Sequence, residues 1–139
     1  MKKLIALILI LALAMPAFTL ADPAEPTEKY QTFGAVEDIR NIFPGDYFSI
    51  DVFMSFDLNA YIQVTTWSYH DVMTITKHGS IKSKENEKGI FYIVFADGTY
   101  YTFSYDDTAH TAIWLNIDGV SIKLGFCDWL VPITQVKVM

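Results

Sequence analysis

From Gly45 onward, apolar residues fall at every second position. Phe48, Ile50, Val52, Met54 and Phe56 alternate with a polar series that includes Ser49, Asp51 and Ser55, the period of a strand with one buried and one wet face. Tyr61 to Tyr69 continues in β-favouring residues: Ile62, Val64, Thr65, Thr66 and Trp67. A third run, Val72 to Lys77, reaches His78-Gly79-Ser80, which reads as a turn. Lys82 to Lys88 is charged and poor in apolar residues, predicting an exposed hairpin end.

The sharpest punctuation comes later. Phe91 to Ala96 runs into Asp97-Gly98, and Thr99 to Tyr105 comes straight back. Thr111 to Ile117 meets Asp118-Gly119, and Val120 to Phe126 returns. Asp-Gly between two β-type runs signals a hairpin, because a type I′ turn needs φ > 0 at both central residues. A last strand is expected from Ile133 to Val138, with Pro132 at its start, where it costs no interior ladder bond.

The segment Gly34 to Phe43 instead has a helical period. Val36, Ile39 and Phe43 recur at 3/4 spacing, Glu37 and Asp38 lie early, and Pro44-Gly45 stops it. Ile90 to Phe95 is apolar on both faces, so something must cover its second face. The Gly34–Phe43 helix is the candidate within the chain, and a second copy is the external one. No crossover is long enough for a parallel sheet. The expected fold is all-β and mainly antiparallel, a meander of about eight strands closing into a small barrel, with one short N-terminal helix.

Upstream, the pattern is of another kind. Met1-Lys2-Lys3 is basic, Leu4 to Ala14 is unbroken apolar, and Thr19-Leu20-Ala21 follows the helix-breaking Pro16. That order is a secretory signal peptide over residues 1–21. An uncleaved anchor is the competing reading, but Pro16 and Thr19 interrupt the apolar stretch and no basic stop-transfer cluster follows. Residues 22–29 read as an acidic, Pro-containing leader and 30–139 as a single β domain. The expected location is secreted or extracytoplasmic, with no stable membrane anchoring after cleavage.

Charge narrows the partners. The formal net charge of −6 becomes −8 without Lys2 and Lys3, which excludes nucleic acid and leaves, at most, cationic partners. Cys127 is the single cysteine. No intramolecular disulfide can form, and among apolar neighbours Cys127 is expected to be buried.

Catalytic and metal chemistry have no motif here. His70-Asp71 is the one His–carboxylate neighbour pair, and strand neighbours point to opposite faces. His78 and His110 fall in expected turns. Asp57-Leu58-Asn59 and Asp106-Asp107 lack the glycine and terminal glutamate of a calcium loop and read as turn residues. The expectation is therefore no enzyme, no cofactor and no metal. What stands out is the aromatic load of 10 Phe, 8 Tyr and 3 Trp. Such residues can pack across strands in place of disulfides, or form a platform for an apolar ligand or a sugar. Trp67, Tyr69, Tyr100, Tyr101 and Trp114 are the candidate binding residues.

Val64-Thr65-Thr66-Trp67 followed by a meander with Asp97-Gly98-Thr99-Tyr100 resembles the small lipocalin-like barrels of secreted bacterial proteins, over about residues 59–126. The resemblance implies a barrel interior for a small apolar ligand. It also implies that Trp67 closes one barrel end, with Thr65 standing at the family's glycine. The functional expectation is a secreted, non-enzymatic module that binds a small apolar or glycan ligand through aromatic residues. The alternative is a protein–protein interaction or inhibitor protein using an exposed sheet face.

Overall fold

The computed structural model of the protein describes residues 26–106, 112–126, 131–132 and 136–138. In chain order the strands are β1 (Glu28–Ala35), β2 (Tyr47–Met54), β3 (Asn59–Trp67), β4 (Val72–Ser83), β5 (Phe91–Phe95), β6 (Tyr100–Tyr105), β7 (Ala112–Ile117), β8 (Val120–Phe126), β9 (Val131–Pro132) and β10 (Val136–Val138). Strands β1 to β8 pair antiparallel with their sequence neighbours. β8 then returns to β1 through Tyr30–Phe126 and Gln31–Gly125, closing an eight-stranded barrel. The alternating pattern thus becomes the meander it predicts, with the closed architecture of lipocalin-like proteins.

Closure works because the apolar series of each strand turns inward. Phe48, Ile50 and Val52 of β2, Ile113 and Leu115 of β7, and Ile122 and Leu124 of β8 are fully buried and form one core with Ile62 and Ile93. The seam between β1 and β8 has only two rungs. The C-terminal strands flank it, β9 lying parallel to β1 at Thr32–Val131 and β10 antiparallel to β8 at Val136–Ile122.

The expected helix is a correction. Gly34 and Ala35 instead complete β1 opposite Phe48 and Tyr47, leaving a single 3-10 turn, Val36–Ile39. Arg40 and Asn41 then adopt left-handed φ values of 60° and 57°, ending it before Pro44. Val36 and Ile39 bury their side chains in the core. They do not blanket β5, whose outer face is covered by Tyr100 edge-on to Tyr92 and by Lys84, 6.0 Å from the Tyr92 ring.

His78-Gly79-Ser80 is not a turn either. β4 runs straight through it, and Gly79 is where β5 comes closest. A Cβ there would meet the Val94 carbonyl at 2.8 Å and Ile93 Cγ2 at 2.9 Å. The glycine marks close backbone approach, the other common reason for glycine inside a strand. The chain turns at 84–90 instead, overlapping the charged stretch Lys82–Lys88 expected to be a hairpin end.

The two Asp-Gly turns differ. Asp118 and Gly119 both have positive φ and form the two-residue loop between Ile117 and Val120, as type I′ requires. At the other, only Gly98 has positive φ. Phe95 accepts from the Gly98 N–H and donates to Thr99 O, a three-residue loop with a left-handed glycine. Thr99 donates from its N–H and hydroxyl to Asp97 Oδ1 at 2.9 and 2.5 Å.

β1 opens at Glu28, two residues ahead of the expected domain start. The expected last strand is represented by Val136–Val138, with Pro132 in the separate β9. The expected signal peptide, the first half of the leader, Asp107, His110 and Cys127 lie outside the described residues.

Candidate functional site

One stretch of the wall is open. β4 pairs with β3 along its whole first part, from Trp67–Val72 to Asn59–Ser80, but its ladder with β5 begins only at Gly79. Among the described residues, 72–78 has β3 as its one ladder partner. The direction of its free groups follows from the neighbouring bonds. Ile81 donates to Leu58 O, and Trp67 O accepts from Asp46 on the β2 side. Alternation along an antiparallel ladder then aims the N–H and C=O of Val72, Thr74, Thr76 and His78 away from β3.

Register places Met73, Ile75 and Lys77 of β4 on the inward face, opposite Thr66, Val64 and Ile62. The inward residues of β2, β3 and β7 are buried, yet Met73 is 49% exposed and Ile75 46%. Beside them lies a slot of about 190 Å³ lined by Phe43, Ile62, Val64, Ile75, Lys77 and Tyr101. Its floor reaches the core at Ile62 and Val64. Phe43, from the loop after the 3-10 turn, packs on Phe48 at 6.3 Å and forms one side.

Lys77 continues the inward series with a charge. Its ammonium lies 4.7 Å from the Phe95 ring centre and 5.3 Å from that of Tyr101, a position that favours a cation over aromatic faces. Burial, with the charge of Asp118, pushes the Tyr101 phenol above its ordinary pKa, so it stays a neutral hydroxyl at physiological pH. The slot therefore combines apolar walls with one ammonium and one hydroxyl.

At the opposite end of the barrel is a second mouth of about 220 Å³. Glu28, Phe56, Leu58, Phe91, Phe103 and Tyr105 are among its lining residues. Glu28 Oε1 accepts from Tyr30 Oη at 2.8 Å and Tyr105 Oη at 3.5 Å. Burial and the Glu28 charge push both phenols upward.

Of the five residues expected to bind, only Tyr101 lines the slot. Tyr100, its neighbour, points outward. Trp67 lies on the outer face of β3 with Tyr47 stacked on it at 6.1 Å. Tyr69 sits in the β3–β4 loop, 90% exposed, its ring edge-on to His70. Trp114 faces out from β7, donating Nε1–H to Asp106 Oδ2 at 3.2 Å, with Lys137 4.2 Å from its ring. The five do not converge on one platform. The residues missed were Phe43, Ile75 and Lys77. Their signal was a lysine at the third inward position of an otherwise apolar alternation.

His78 also has a structural setting, packing 5.3 Å from Tyr61, which stacks on Phe53 at 4.4 Å. No group of three His, Cys, Asp or Glu side chains able to hold a metal occurs among the described residues. Comparison with protein-family models, curated proteins and solved structures returned no match. The likeness to lipocalin-like proteins is one of barrel architecture.

Proposed function

We propose that this chain is an exported binding protein that takes a small, mainly apolar ligand with a hydrogen-bond-accepting head into the slot beside β4. One observation carries the reading: inward-facing Met73 and Ile75 are half exposed, while their inward partners on β3, Thr66 and Val64, are buried. Apolar surface left open beside a concavity is surface that a ligand can remove from water, at roughly 25 cal/mol per Å². Lys77 and Tyr101 supply donors for the head. The leading basic and apolar segment supports export.

Titration with decanoate and decanol, followed by native mass spectrometry and displacement of a fluorescent apolar dye, tests this reading. One equivalent should bind, and Ile75→Glu should weaken binding at least about tenfold while the barrel stays folded. Lys77→Met should weaken decanoate more than decanol. Absence of saturable binding by either probe refutes the reading.

A second reading, a protein that pairs with a partner strand, is favoured by the free edge at 72–78, where Val72 is 74% exposed. Exposed ladder groups accept an added strand. Thr74→Pro removes one outward N–H without touching the β3 ladder. It should abolish any such complex and leave decanoate binding intact.

A further inference from the structure

We infer that the second mouth of the barrel, floored by Glu28 and ringed by Phe91, Phe103 and Tyr105, binds a small organic ammonium ion. The argument starts from Glu28. Its carboxylate is half-buried, opens into an apolar pocket, and forms no ion pair with a lysine or arginine among the described residues. Its hydrogen-bond donors are the two phenols of Tyr30 and Tyr105, which stabilise the charge by donation but leave it uncompensated. A partly desolvated anion without a cation is costly to hold.

The rings around it supply the second half of a cation site. Phe91 stacks on Phe103 at 5.2 Å, and Tyr105 meets both edge-on at 6.1 and 5.9 Å. They are thereby fixed before any ligand arrives. Aromatic faces attract alkylammonium groups, and the attraction grows when water is excluded. A hydrated metal ion gains little from such walls, whereas an alkylated ammonium gains from both charge and apolar contact. Phe56 (79% exposed) and Leu58 stand at the rim, where they would lose exposed area over a bound ligand. The chain's net charge of −6 adds a long-range pull of the same sign. Nothing in this site depends on the β4 slot, which lies at the other end.

Choline and its uncharged isostere 3,3-dimethylbutan-1-ol differ in charge but little in shape, so their comparison on the unaltered protein isolates the ammonium. Titration by calorimetry and by shifts of aromatic ring signals, with ionic strength held constant by sodium chloride, should show saturable choline binding. Binding of the neutral alcohol should be at least about tenfold weaker. Glu28→Gln keeps the size of the side chain and should cost choline a similar factor, with Phe91→Leu a smaller one. Equal binding of the two probes would overturn the inference, as would unchanged choline affinity in Glu28→Gln or no binding of choline at all.

Discussion

The β7–β8 and β3–β4 hairpins share one grammar, two apolar-rich strands joined by a short loop, yet they end in opposite environments. In β8, Val120, Ile122 and Leu124 are buried, and the outer edge of the strand is taken by β10 and β1. In β4, Met73 and Ile75 occupy equivalent inward positions and remain half exposed, because β5 reaches the strand only at Gly79. Local pattern therefore decides that a strand forms, while the partner on its far edge decides how much of it is buried. A sequence that spends apolar residues on an unpartnered edge retains surface for something else.

The sharpest break of this comparison is a pair of matched truncations. Leu115→Ala should destabilise the barrel by about 2–5 kcal/mol, since the side chain is fully enclosed. Ile75→Ala should cost less than about 1 kcal/mol. Similar losses in denaturant unfolding would mean that the two regions are equally packed. Gly79→Ala comes next, at about 1–3 kcal/mol, because the new methyl meets the Val94 carbonyl with no flexible atom to yield.

Turn substitutions are smaller. Gly119→Ala places a side chain at φ +84° and should cost about 1–2 kcal/mol by thermal melting, whereas Tyr69→Ala in the exposed loop should stay within about 0.5 kcal/mol.

Alkaline titration sharpens the contrast further. Tyr30, Tyr105 and Tyr101 hold their protons more tightly in the fold than in the unfolded chain. The stability they contribute is complete below the ordinary tyrosine range and falls as pH rises above about 10, where only the unfolded chain deprotonates. Phenolate absorbance should thus appear in two stages, exposed tyrosines first and these three with unfolding. A single smooth stage would contradict the burial assigned to them. The mildest effect belongs to Asp97, whose carboxyl Thr99 holds below its usual range. Asp97→Ala should slightly flatten the loss of stability as pH falls through that group's range.

Much of this architecture is legible in the residues. Phe48 to Met54 and Val120 to Leu124 alternate cleanly because both faces of those strands have settled environments. β1 was illegible for the converse reason: Thr32 is fully buried among apolar neighbours, so its inward series does not read as apolar. Gly79 carried two meanings, turn and close approach, and only the position of β5 separates them. The slot was hidden because it depends on where two strands part. Tyr100 and Tyr101 show the same limit, since neighbours on a strand look alike until the register assigns one outward and one inward.

The two-rung seam has a consequence for the order of assembly. Each β-hairpin can zip as soon as it is made, but Tyr30 can meet Phe126 only when nearly the whole chain is present. Closure is the least local event in the fold and is expected to be its slow step, because long-loop entropy is lost before any contact repays it. Until then β1 and β8 are both raw edges. The short β9 and β10, one on each side of that seam, act as a late latch, so trimming the last residues should speed opening of the barrel more than it disturbs any hairpin within it.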